Sequence, residues 1–172
     1  MHGLVIRAFE SFEPMFHYDD GLAFRLLGVA ADRLAKPSDA LLEDFGTFLV
    51  AHPASDRVRR LLRFGGGDYE DFLASLEDLS GRVRLAVPDL ILPELALADL
   101  GGGEYRLRAP GAPPGVTPVL SGLLRALADD YGALVLIEAG GGDDAGVELS
   151  IRLLETAFSQ GRGFALSQRA AG

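Results

Sequence analysis

Apolar residues recur at helical spacing through the first half of the chain and alternate near its end. Leu4, Val5, Ala8, Phe9 and Phe12 predict a first helix, stopped by Pro14, whose ring and missing amide a helix interior does not accept. "MFHYDD" is then a short strand candidate. Residues 22–36 read as a helix ended by Pro37, and Ser38 starts another whose face is Leu41, Leu42, Phe45, Phe48 and Leu49. Ser55 can cap "DRVRRLLRF", the glycines at 65–67 stop it, and Asp68 caps the helix that follows. Beyond Pro93 the texture changes: "GGGEYRLRAPG" alternates and carries turn glycines, which predicts a strand. Thr117 as cap and Pro118 in the first turn open a helix with Val119, Leu120, Leu123, Leu124, Leu127 and Tyr131 on one face. "ALVLIEAGGGDDAGVELSIRLLE" predicts a hairpin, two β-rich runs around a glycine-rich turn. The order indicates an α+β fold, an N-terminal helical bundle followed by a small antiparallel sheet with one intervening helix. The length fits a single domain over residues 1–158, with 159–172 a weakly periodic tail, frayed or the start of a linker.

The helix after Asp68 holds one residue that breaks its own pattern. Phe72, Leu73, Leu76, Leu79, Val83 and Val87 recur at spacings of three and four, and Ser80 falls on the same face, four after Leu76 and three before Val83. A polar side chain there needs a partner, and the nearest candidate is the carbonyl of Leu76, with Gly81 loosening the helix beside it.

Composition narrows the chemistry. The longest apolar runs are interrupted within about ten residues, short of the roughly 20 that a membrane span needs. "MHGLVIRAFESFEP" carries Arg7, Glu10 and Glu13 through its apolar pattern and lacks a basic leader before an apolar block, so a cytoplasmic protein is expected. The absence of cysteine removes disulfides, thiolate metal sites and thiol nucleophiles. A net charge of −9 opposes phosphate backbones and anionic lipid, so neither nucleic acid nor membrane is expected as partner. In the one basic cluster, "DRVRRLLR", Val58, Leu61 and Leu62 face inward and the arginines form a solvated side.

No catalytic constellation is found. The glycine triplets at 65, 101 and 140 lack the Lys-Ser/Thr ending of a phosphate loop and read as turns. Asp143 and Asp144 lack the alternating ligands and closing Glu of a calcium loop. His2, His17 and His52 stand far apart, and Ser80, Ser121 and Ser150 lie outside any nucleophile-elbow context. A non-enzymatic domain is expected.

The order of several short motifs resembles one family over nearly the whole chain. "MHGLVIRAFE", "YDDGLAFRLLGVAADRL", "LLEDFGTFLVAH" and "RLLRFGGGDYEDFLASLEDL" are together similar to the haem-nitric oxide/oxygen binding (H-NOX) domains, which include the sensor domain of soluble guanylate cyclase. The resemblance implies the haem-NO-binding-domain-like version of the fold above. It also implies that a histidine on the Ser80 helix would bind haem iron, with a proline thirteen residues later against the porphyrin. Pro93 stands thirteen after Ser80, so Ser80 occupies the position of the iron ligand, and a hydroxyl is a poor substitute for imidazole. The family's Tyr-x-Ser-x-Arg strand, which hydrogen-bonds the propionates, corresponds to Tyr105, Leu107 and Ala109, so one donor remains of three. Arg106 and Arg108 fall on the other face unless a bulge turns Arg108 round. Between Phe12 and "MFHYDD", where the family has a further helix and loop, only Glu13 and Pro14 remain.

The resulting expectation is a sensor domain that has lost haem ligation and needs no cofactor. It would bind a small apolar ligand in a pocket lined by Leu76, Ser80, Val83, Pro93, Tyr105 and Leu107, or bind a signalling partner. The resemblance implies a histidine kinase, a diguanylate cyclase or a chemotaxis component as that partner. Two alternatives stand beside it: a divergent NO/O2 sensor whose haem iron is held by His2, His17, His52 or Tyr105, and a protein-interaction module whose cavity has filled with side chains.

Overall fold

The computed structural model describes residues 20–86, 92–140 and 146–155. The helix expected over Leu4 to Phe12, the strand in "MFHYDD", His2, His17, Val87, the turn at 141–145 and the tail at 159–172 lie outside them. The chain forms two compact units, residues 1–38 and 39–172. In the first, the described residues form α1, Asp20–Leu34, matching the helix expected before Pro37.

In the second unit, α2 spans Ser38–Ala51 and is followed by a 3-10 turn, Pro53–Ser55, and α3, Asp56–Arg63. Ser55 makes no side-chain cap on α3. Capping falls to His52 instead, whose side chain accepts from the Ala54 amide, because Pro53 sets the first turn one step earlier. Asp68 caps α4, Tyr69–Ala74, as expected, accepting from the Asp71 amide at 2.9 Å.

The helix containing Ser80 is not continuous. After α4 comes a 3-10 turn, Ser75–Asp78, and then α5, Leu79–Ala86. The Leu79 amide bonds to Leu76, three residues back, which is 3-10 geometry, and Arg82 spans the break, donating to the Ser75 carbonyl at 2.9 Å and to its hydroxyl at 3.1 Å. The apolar face survives the break, for Phe72, Leu73, Leu76, Leu79 and Val83 are all buried.

The sheet begins earlier than the sequence predicts. Ala96–Gly101 forms β1, which pairs antiparallel with β2, Glu104–Pro110, through Gly101, Gly102 and Gly103, all at positive φ. Then come α6, Val116–Tyr131, and the expected hairpin of β3, Leu134–Ala139, and β4, Gly146–Glu155. Gly115, at φ 87°, takes the N-cap position of α6, so Thr117 lies inside the helix rather than capping it. The sheet order is β1-β2-β4-β3. Leu107, Leu149 and Ile151 from the sheet, Leu124 and Leu127 from α6, and Phe72, Leu73 and Leu76 are essentially inaccessible and join one core. Each such side chain contributes about 1.5–3 kcal/mol by leaving water. Across the other side of α6 lies α2, where Gly46 and Gly122 let the two backbones meet: Thr47 donates to the carbonyls of Glu43 and Gly122, and Arg125 pairs with Glu43. Among the described residues no helix is long and apolar enough to cross a membrane.

Candidate functional site

Ser80 lies one residue into α5 and is 9% exposed. Its hydroxyl donates to Glu94 Oε2 at 3.2 Å, not to the Leu76 carbonyl that a regular helix would offer. Glu94 follows Pro93 on the segment leading into β1, so the bond ties the start of α5 to the start of the sheet. A second tie runs beside it: Glu77 Oε1, in the 3-10 turn, accepts from the Leu97 amide of β1 at 3.1 Å. Two carboxylates therefore fasten the helical segment to the β1 side of the sheet. Glu94 is a partner that the sequence reading missed; it lies fourteen residues from Ser80, beyond the reach of helical spacing.

Four of the six residues expected to line a pocket lie in the interior. Leu76 and Leu107 are 0% exposed, Val83 is buried in the same core, and Ser80 sits at its margin. Pro93 is half-buried, and half-buried Tyr105 packs against the core. Along β2 the inward positions are Tyr105, Leu107 and Ala109, opposite Ile151, Leu149 and Val147 of β4 in unbroken register. That register carries no bulge to bring Arg108 inward. Arg106 and Arg108 both turn to Glu148 on the outer face, at 3.5 and 3.0 Å.

The site offers few reactive groups. Burial, then the carboxylates of Glu70, Asp99 and Asp68, push the Tyr105 hydroxyl above its ordinary value, which disfavours the phenolate. His52 stacks on Phe48 with ring centroids 4.4 Å apart, and its Nδ1 accepts the Ala54 amide at 3.1 Å. A nitrogen accepting a hydrogen bond carries no proton, so the proton of the neutral ring sits on Nε2 and closes that lone pair. Among the described residues the partner of the Ser80 hydroxyl is a carboxylate, and no imidazole stands beside it. Among the described residues no three of His, Asp and Glu are grouped to hold a metal ion.

A family profile described as Haem-NO-binding matches residues 4–139. No curated protein matches the chain in sequence. A triple mutant of an H-NOX protein from S. oneidensis in the Fe(II) ligation state is similar in fold at a TM-score of 0.74 and 19% identity, over 88% of this chain and 84% of that one. An unliganded Fe(II) H-NOX mutant from K. algicida gives 0.74 and 18%, over 91% and 88%. A histidine-to-glycine mutant of the H-NOX domain from Shewanella oneidensis, in the Fe(II)CO ligation state, gives 0.69 and 20%, over 87% and 85%.

Proposed function

The chain belongs to the haem-NO-binding family, and from that premise we propose that it is a sensor domain which does not hold haem iron through the Ser80 helix and which signals to a protein partner. One observation carries the reading: Ser80, at the family's ligand position, commits its hydroxyl to Glu94. An axial ligand must present an electron pair to iron from a strong donor, and a neutral serine hydroxyl is a poor donor compared with imidazole, while the Glu94 bond turns this one toward the segment leading into β1. The propionate side agrees, since Leu107 and Ala109 are fully buried apolar residues where hydrogen-bond donors would stand. Among the described residues, Ser80, Leu107 and Ala109 do not fit the cofactor at these positions. Of the described replacement ligands, Tyr105 has its phenolate disfavoured by burial and by the carboxylates of Glu70, Asp99 and Asp68, and His52 uses Nδ1 in a cap that would be lost if the proton moved there to free Nε2.

In this reading the Ser80–Glu94 and Glu77–Leu97 bonds do the tethering that a metal bond would otherwise do, holding the helix against the sheet. A small apolar ligand beside Pro93 and Tyr105, the half-buried members of the six, would favour one placement of the helix and so shift the surface that a partner reads. Complete burial of Leu76 and Leu107 favours a second reading, in which the cavity has filled and the domain is an interaction module. Native mass spectrometry of the purified chain separates them. A retained apolar molecule, lost on Tyr105→Ala, supports the ligand-binding form; a bare chain that also takes up no added apolar compound supports the filled one.

A further inference from the structure

We propose that the arginine-rich face of α3 is a docking surface for an acidic segment of a partner protein that also carries an apolar side chain. The proposal rests on the sensor reading, and supplies the chemistry of the partner that reading requires.

On a chain of net charge −9, four arginines stand on one helix of eight residues. They form two rows. Arg59 and Arg63, one helical turn apart, both bond to Asp130 at the end of α6, and Arg63 is fixed threefold: 2.7 Å to the Asp130 carboxylate, 2.9 Å to its carbonyl, and 4.3 Å above the Tyr131 ring. Arg57 and Arg60 form the outer row, continued by Phe64, at spacings of three and four. Arg60 is 80% exposed and pairs with Asp56 on its own helix, and Phe64 is 84% exposed. Between the rows lies an open cleft of about 450 Å³ lined by Asp56, Arg59, Arg60, Arg63 and Phe64.

Charge and shape point to one class of occupant. Exposed Phe64 offers an apolar contact beside the exposed guanidinium of Arg60, and Arg59 and Arg63, already held by Asp130, lose little freedom on meeting a further carboxylate. Among the described residues two carboxylates, Asp56 and Asp130, pair with these four arginines, so the surplus is small. That suits a short acidic segment. Tight nucleic-acid binding neutralises roughly 6–10 phosphates, which this patch is too small to do.

The test uses the full chain and a fluorescent synthetic peptide rich in Glu and Asp with one Phe, followed by anisotropy. Its Gln/Asn counterpart and a single-stranded oligonucleotide of equal charge serve as comparisons. The acidic peptide should bind, weaken with added salt, and lose roughly tenfold or more in affinity in Arg57→Ala/Arg60→Ala and in Phe64→Ala. These variants leave Asp130 and its partners untouched, so their melting temperatures should match the parent's. The proposal is overturned if the acidic peptide does not bind, if its binding ignores the variants, if the neutral peptide binds equally, or if the oligonucleotide binds more tightly. None of those results bears on haem ligation, so failure here leaves the sensor reading to its own tests.

Discussion

Two glycine-to-alanine changes should move stability in opposite directions. At Gly122 an added Cβ would lie 2.8 Å from the Glu43 carbonyl carbon and 3.1 Å from its Cα, both backbone atoms of α2 that cannot rotate aside. Overpacking of this kind costs about 1–3 kcal/mol, and a backbone obstacle argues for the upper end. Alanine returns about 1 kcal/mol through helix propensity, leaving a net loss of about 2 kcal/mol for Gly122→Ala. At Gly81, exposed in α5, nothing lies within 4 Å of the same added atom. There only the propensity gain applies, about 1 kcal/mol of stabilisation. At about 2–4 °C per kcal/mol for a chain of this size, Tm should fall by about 4–8 °C in the first variant and rise by about 2–4 °C in the second. Circular dichroism during heating and during urea titration reads both, with coincident probes to check two-state behaviour. A neutral or stabilising Gly122→Ala would mean that α2 and α6 do not cross at this distance.

Other expectations concern individual side chains. Ser80→Ala removes one hydrogen bond to a solvent-accessible carboxylate and should cost about 0.5–1 kcal/mol by urea denaturation; a loss several times larger would give Ser80 a role beyond this tie. Tyr69 donates from the core to the Leu124 carbonyl, and burial raises its hydroxyl well above the ordinary value. The folded state thus favours the neutral phenol, so this stabilisation is complete below about pH 10 and lost as pH rises through the folded value. Tyr69→Phe should cost about 1 kcal/mol near neutrality and flatten the stability profile above about pH 10; an unchanged profile contradicts this. For Asp130, burial acts to raise the carboxyl, but hydrogen bonds and charges from Arg59 and Arg63 outweigh it and hold the group below its ordinary value. Its contribution is therefore present above about pH 4 and fades as pH falls further, so the stability gap between the parent and Asp130→Asn should close on acidification below that point; a gap that widened would refute the assignment.

What could be read from the sequence was what local periodicity encodes. The faces of α6 and the Phe72–Val83 segment and the β3–β4 hairpin follow from spacing, as does the placing of Tyr105, Leu107 and Ala109 on one face of β2; on α2 spacing misled, for Phe45 and Phe48 of the expected face are exposed while Gly46 and Val50 are buried. β1 was missed because "ALADLG" is built from alanine and leucine, with small apolar residues on both faces, so it neither alternates in polarity nor favours a strand intrinsically. Its pairing with β2 supplies the order that its composition lacks. At the break Ser75 is met by Arg82, seven residues on, and the Ser80 hydroxyl is met by Glu94, fourteen residues on. Such contacts between segments leave no periodic trace. For the same reason the arginines of α3 read as a solvated side, because Asp130 and Tyr131, which hold two of them, are more than sixty residues away.

The most direct measurement is the visible spectrum of the purified chain during titration with hemin, carried past one equivalent. With Ser80 at the ligand position no saturable one-to-one complex should form, and the absorbance should grow as that of free or loosely adsorbed hemin does. A sharp Soret band reaching its end point at one hemin per chain, and abolished by replacing His2, His17, His52 or Tyr105, would contradict it and make the domain a haem sensor with a different axial ligand.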